Sequence, residues 1–196
     1  NAMLRRHALG SFRDLLAGVA RDPAMILYLD NVSNRRKKPN ENFARELLEL
    51  FTLGEGHYTE ADIKEAARAF TGWTLDRKTG DFRFARRQHD YGQKTFMGKK
   101  GELDGQDILD ELLRNPQTSR FITAKLWREL VVEPAPAREL ERIARAFRES
   151  DYQISELVRQ ILTSRYFLDP ALIGNKIKSP VELLVGTVRL FHVELK

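Results

Sequence analysis

The chain contains no cysteine among its 196 residues. That excludes disulfides, thiolate metal sites and a cysteine nucleophile. No apolar run approaches the ~18 residues that a membrane-spanning helix needs, and no signal-peptide pattern stands at the start. Asn1-Ala2 ahead of Met3 reads as an expression-tag scar, so fold reasoning begins at Met3. The standard catalytic signatures are missing as well. There is no ExxH or HExxH, no Gly-x-Ser-x-Gly, no glycine-rich dinucleotide loop and no phosphate loop. The short Gly54–Tyr58 loop has too few oxygen ligands, and the wrong spacing, for an EF-hand. A net charge of +5 is a mild basic excess, spread along the chain. Its densest run, Arg35 to Lys38, reads as a solvated loop, which ranks nucleic-acid binding last among the functions considered.

What is present is helix signal from end to end. With 42% hydrophobic and 31% charged residues, the chain has the balance of a folded domain and not of a disordered one. Ser11 with Asp14 three residues on reads as an N-cap ahead of Phe12, Leu15, Leu16 and Val19. Asp22-Pro23 restarts the chain, and the apolar segment Ala24 to Leu29 is expected to be a short buried helix. Asp30 to Lys38 reads as a loop. A helix is predicted over about Glu41 to Leu53, stopped by Gly54, with a second one capped by Thr59 and Asp62. The two should form a hairpin. Phe82 and Phe84 alternate with charged residues, and Thr95-Phe96-Met97 runs into Gly98, so strand-like structure is expected near residues 80–103. Helical periodicity then resumes through Ile108, Trp127, Phe147 and Ile161. It ends in Ser179-Pro180-Val181-Glu182, a combined N-cap, N1 proline and N3 glutamate, with Leu184, Val185 and Val188 on the expected buried face.

The stretch PNENFARELLELFTLG is the densest in chemistry-bearing residues. At 100° per residue, Phe43, Leu47, Leu50 and Phe51 fall within an arc of about 100°, the expected core face. Asn42, Arg45, Glu46 and Glu49 share the opposite face, with Arg45 and Glu49 at i,i+4 spacing. Three readings of that face stand. It is the solvated side of an amphipathic helix, a catalytic surface, or a polar clamp that ties the helix to the Asp30 loop through Asn40, Glu41, Asn42 and Arg45. His89-Asp90 is the other chemical pair, able to bind a metal or move a proton if a turn at Gly92 lets the two side chains converge. Lys94 would neutralise Glu46 or Glu49 if the strand region folds back over the helix.

Leu29-Asp30-Asn31, PNENFARELLELFTLG, Ala69 to Trp73 (AFTGW), His89-Asp90-x-Gly92-x-Lys94, Lys125 to Glu129 (KLWRE) and Lys178 to Glu182 (KSPVE) occur in that order. This series resembles the bacterial family called "domain of unknown function 1800", over almost all of the chain. The resemblance implies a helical protein longer than this chain, of which this is the central to C-terminal portion. It further implies an envelope or secreted location and a protein partner related to a sulfatase-like uncharacterised neighbour. It implies no catalytic residue, because none is assigned in the family.

The resulting expectations are a mainly α, bundle-like fold with a small β-hairpin or irregular excursion around residues 80–103. Residues 3–196 form one helical domain, with possible subregions 3–132 and 137–196. The leading function is a protein- or polymer-binding module. A metal-assisted or acid/base hydrolase using Glu46, Glu49, His89 and Asp90 is the alternative, followed by nucleic-acid binding. The clamp or binding residues are Asp30, Asn31, Asn40, Glu41, Asn42, Arg45, Trp73 and Lys94. No cofactor is expected.

Overall fold

A computed structural model describes residues 2–131, 134–174 and 177–192. Within these, ten α-helices alternate with short connections, and two small antiparallel hairpins interrupt the middle. The fold is mainly α, as the periodicity predicts. Helices α1 (Ala2–His7), α2 (Phe12–Arg21) and α3 (Pro23–Tyr28) lead into a single 3-10 turn at Asn31–Ser33. Helix α4 (Asn42–Glu46) runs on without a break as a π-helical stretch, Leu47–Thr52. Helix α5 (Glu60–Ala69) follows, then β1 (Trp73–Leu75), β2 (Phe82–Phe84), β3 (Lys94–Phe96) and β4 (Lys99–Gly101). Helices α6 (Gly105–Arg114), α7 (Pro116–Val131), α8 (Ala137–Glu149), α9 (Ile154–Leu162) and α10 (Pro180–Leu190) complete the chain.

Local chemistry explains most of the boundaries. Thr59 and Asp62 form a capping box at the start of α5, Asp104 and Asp107 another at α6, and Ser179 and Glu182 a third at α10. Asp22 accepts from the Ala24 N–H while Pro23 takes the first helical position of α3. The expected Ser11 cap differs: its side chain makes no cap bond, because the backbone there is committed elsewhere. Ser11 bridges Gln153, the Phe12 N–H donates to the Tyr152 carbonyl at 2.8 Å, and the Ile154 N–H donates to the Gly10 carbonyl at 2.8 Å.

The core is continuous from Phe12 in α2 to Ile161 in α9. Its aromatic centre stacks Phe43 edge-on to Phe70, Phe70 to Trp73, and Trp73 to Phe82, with centroids 4.9, 5.0 and 5.2 Å apart. That chain of rings joins α4, α5 and the first hairpin into one unit. Three apolar assignments differ from expectation. In α3 only Ile26 is buried; Leu27 and Tyr28 are 60% and 82% exposed, since one short helix can turn only one side to the core. Leu50 is 46% exposed, because the wide turn that follows Glu46 shifts the helical phase away from 100° per residue. Helix α10 has no buried residue among those described, and Leu184 and Val185 are exposed.

Three of the four strands lie within the expected 80–103 region; β1 lies ahead of it, and the strands form two hairpins where one was expected. Trp73 pairs with Phe84 and Leu75 with Phe82 in the first; Lys94 pairs with Gly101 and Phe96 with Lys99 in the second. Met97 and Gly98 both adopt positive φ at the second turn, the geometry that suits the right-handed twist of a two-residue hairpin.

Candidate functional site

The PNENFARE block and the Asp30 loop meet through side-chain amides. Asp30 takes a left-handed conformation, φ 55°, and turns the chain back on itself. The Asn40 Oδ1 accepts from the Asn42 N–H at 3.0 Å, which caps the helix from two residues ahead; α4 therefore starts at Asn42, one residue later than predicted. The Asn40 Nδ2 donates to the Ser33 hydroxyl at 2.8 Å and to the Asp30 carboxylate at 3.1 Å. Asn42 Nδ2 reaches the Leu29 carbonyl at 3.2 Å. Deeper in, Asn31 and Asn34 are each only 1% exposed. Asn31 Nδ2 donates to the Trp73 carbonyl at 2.9 Å. Asn34 Nδ2 donates to the Ala67 carbonyl at 2.9 Å and to Asn31 Oδ1 at 3.1 Å, while its own Oδ1 accepts the Asn40 N–H at 2.9 Å. Buried amides survive only when paired, and these are paired on both ends.

The charged face of the helix does something else. Arg45 makes a two-pronged contact with Glu60 at 2.8 and 2.9 Å, and a longer one with Glu41 at 3.4 Å. Glu60 pushes the Arg45 pKa up. The expected Arg45–Glu49 pair is replaced because α5 brings Glu60 opposite Arg45, while Glu49 accepts from the Tyr58 hydroxyl at 2.9 Å. Burial and that bond push the Tyr58 phenol up to about 12. Glu46 is half-exposed and makes no side-chain hydrogen bond or ion pair among the described residues.

His89 and Asp90 diverge. The His89 ring is 3% exposed and its Nδ1 lies 2.8 Å from the Thr71 carbonyl oxygen. A carbonyl can only accept, so Nδ1 carries the hydrogen. The ring sits edge-on to Phe84 and Tyr91, with centroids 5.2 and 4.7 Å away. Asp90 turns the other way and accepts from Arg68 Nε at 2.8 Å and from the Gly92 N–H at 2.8 Å. The guanidinium, aided by that N–H, holds the Asp90 carboxyl below the usual carboxylate range. Lys94 is 1% exposed, and its ammonium donates to the carbonyls of Asp90 and Gly92, not to Glu46 or Glu49. Burial pushes its pKa down. Among the described residues, no three His, Asp or Glu side chains gather to hold a metal ion. Trp73 is buried, with the Arg21 guanidinium 5.1 Å from its ring.

The amide contacts also set the position of charge. The Gly72 N–H donates to the Asn34 carbonyl at 3.2 Å, the Ala85 N–H to the Gly72 carbonyl at 2.7 Å, and the Arg36 N–H to the Gln88 carbonyl at 2.8 Å. The Arg35–Lys38 turn is thereby held against the segment that carries Arg86 and Arg87 and against the β1–β2 hairpin, which carries Arg77, Lys78 and Arg83. Over residues 30–38 and 73–90 these nine exposed basic residues stand against four acids, Asp30, Asp76, Asp81 and Asp90, a local net charge of +5. Since the whole chain carries +5, everything else is neutral in sum. The excess is spread in sequence and gathered in space. Seven arginines elsewhere are paired with carboxylates. None of the nine here forms an ion pair among the described residues. Between loop and hairpin lies a cleft of about 550 Å³, lined by Arg35, Arg77 and Arg83 together with Leu27, Thr74 and Gln88.

Sequence reasoning passed over Asn34, Thr71 and Arg68, which do much of the tying. The Thr71 hydroxyl donates to the Arg68 carbonyl at 2.6 Å and accepts the Asp90 N–H at 2.8 Å. Thr71 stood inside the AFTGW block without a role, and Asn34 had no periodic pattern to mark it. No curated protein and no solved structure matches the chain. The asparagine block, the AFTGW segment and the His-Asp turn all lie inside a match, over residues 1–195, to the family described as "Protein of unknown function (DUF1800)", and the chain belongs to that family.

Proposed function

We propose that this chain is a binding module that holds an anionic polymer on the face formed by residues 30–38 and 73–90. The observation that carries this reading is the segregation of nine exposed basic side chains, none in an ion pair among the described residues, onto segments fixed by buried amides. Gathering like charge costs stability through self-repulsion, and a bound polyanion offsets that cost. Asp30, Asn31, Asn40 and Asn42 act as the clamp that holds the loop in place; Arg45 and Glu41 brace the helix start against Glu60. The same reading gives Glu49, Asp90 and Lys94 supporting roles, since each is already engaged by a neighbour. With the family resemblance as support, we assign the module to the bacterial envelope or the secreted fraction, beside a sulfatase-like protein partner.

The test is titration with fluorescein-labelled dextran sulfate, a generic polyanion, at rising sodium chloride, followed by hydrogen–deuterium exchange of the complex. Binding should weaken steeply with salt, because contacts to a charged polymer release its counterions. Amide protection should concentrate in residues 30–38 and 73–90. Absence of binding at low salt, or protection centred on α7 to α9, refutes the proposal.

A further inference from the structure

The cleft between the Asp30 loop and the β1–β2 hairpin is not lined by cations alone. Thr74 and Gln88 line it, and neither side chain makes a hydrogen bond among the described residues. Asp76 lines it too. One of its carboxylate oxygens accepts the N–H groups of Lys78 and Thr79 at 2.8 and 3.3 Å, which leaves the other free to accept from a ligand. Leu27, Val32 and Leu75 supply an apolar wall. No aromatic ring lines the cleft among the described residues, so it gives a nucleobase nothing to stack on.

This set of groups matches one ligand chemistry. Guanidinium groups at Arg35, Arg77 and Arg83 suit carboxylate or sulfate oxygens, which they can grip in a planar fork. A hydroxyl, an amide and a carboxylate oxygen suit a ligand rich in hydroxyls. An apolar wall suits the C–H face of a sugar ring. The free oxygen of the Asp76 carboxylate suits a sugar hydroxyl, while the anionic group of the same sugar faces the arginines. Resting on the polymer-binding reading above, we infer that the polymer is an acidic polysaccharide, one anionic sugar of which seats in the cleft between Arg35, Arg77 and Arg83.

The experiment uses the full chain and four labelled probes of matched length: oligogalacturonate, dextran sulfate, oligo-dT and neutral dextran. The variants are Arg77→Ala with Arg83→Ala, and separately Arg35→Ala. All three positions are exposed and none forms an ion pair among the described residues, though the Arg83 charge helps to lower the Asp76 pKa; circular dichroism checks that each variant folds. Arg138→Ala with Arg145→Ala removes the same charge from a different cleft and serves as the control. Oligogalacturonate or dextran sulfate should bind more tightly than oligo-dT, and whichever of the two is preferred tells carboxylate from sulfate. The Arg77/Arg83 variant should lose about tenfold or more in affinity for that probe, given the strength of forked arginine contacts. Arg35→Ala should lose severalfold, and the control pair little. Equal or tighter binding of oligo-dT overturns the sugar assignment while the polymer-binding reading stands. Equal loss in the control pair overturns the cleft as the seat. Failure of every anionic probe overturns both.

Discussion

Asn34→Ala is the perturbation that most directly tests the clamp. Asn34 is 1% exposed and sits where three segments meet. Its side chain serves the Ala67 carbonyl, the Asn31 Oδ1 and the Asn40 N–H. Ala67 lies in the last turn of α5, where carbonyls run out of helical partners, so Asn34 also finishes that helix. Truncation leaves all three groups without this partner. A buried polar group left unpaired costs about 1–3 kcal/mol. Asn40 is within reach of water, and with each of the three groups taken at the low end the total comes to roughly 3 kcal/mol. Against a domain stability of about 5–15 kcal/mol, that is a large fraction but not all of it. Urea unfolding followed by circular dichroism should therefore show a cooperative transition at a clearly lower midpoint with an unchanged slope. Asn34→Asp is the companion variant. It keeps the acceptor for Asn40 but points an oxygen at two other acceptors, and buries a charge. Its carboxyl is better tolerated when protonated, so this variant should gain stability relative to wild type as pH falls. A midpoint shift worth less than about 0.5 kcal/mol for Asn34→Ala, the range of a featureless surface site, would falsify the clamp.

Three other outcomes follow from the same geometry. Gly72→Ala should destabilise by more than about 2 kcal/mol, because its φ of +82° disfavours any side chain and a Cβ there would stand 2.8 Å from the Ala85 carbonyl oxygen; a wild-type melting curve refutes this. Glu46→Ala should change stability by no more than about 0.5 kcal/mol, since no side-chain partner would be lost, and a larger drop in urea unfolding would reveal a contact that this geometry does not contain. Asp90→Asn tests linkage. The Arg68 bond depresses the folded-state pKa of Asp90, so its contribution is complete above the unfolded value of about 3.9 and is lost as pH falls through the depressed folded value. The stability gap between wild type and Asp90→Asn should thus be constant from pH 7 to 5 and narrow below pH 4. A gap that stays constant down to pH 2 contradicts the assignment.

Whatever is decided within a few residues could be read from the chain. Thr59 with Asp62, Asp22 with Pro23, and Ser179 with Glu182 cap as their spacing predicts, because a cap needs only its own next turn. The alternation of Phe82 and Phe84 marks a strand for a similar reason, though its partner β1 carries no alternating signal in three residues. Decisions made across the fold were hidden. Ser11 has the right neighbours for a cap and loses the role to a backbone bridge with Gln153, more than a hundred positions away. Lys94 carries an ordinary lysine's sequence context and ends buried against two carbonyls. Candidate-site residues followed the same division. The amides near Asp30 could be suspected from their density, whereas Asn34 and the gathering of Arg35, Arg77 and Arg83 depend on contacts between the loop, α5 and the hairpin.

The wide turn over Leu47–Thr52 has a consequence for length variation among relatives. A π-helical stretch accommodates residues that a straight α-helix of equal rise would not hold. Here it leaves the Leu50 carbonyl free to accept from the Lys125 ammonium at 2.7 Å, and lets the Thr52 hydroxyl fold back on the Leu47 carbonyl at 2.7 Å. A relative one residue shorter within this stretch could keep the asparagine block and the stop glycine in register at either end. It would carry a regular helix between them, bring the counterpart of Leu50 onto the core face, and lose the anchoring point for α7. Among all places in the chain where an alignment could open a one-residue gap, this one has a structural meaning that can be stated beforehand.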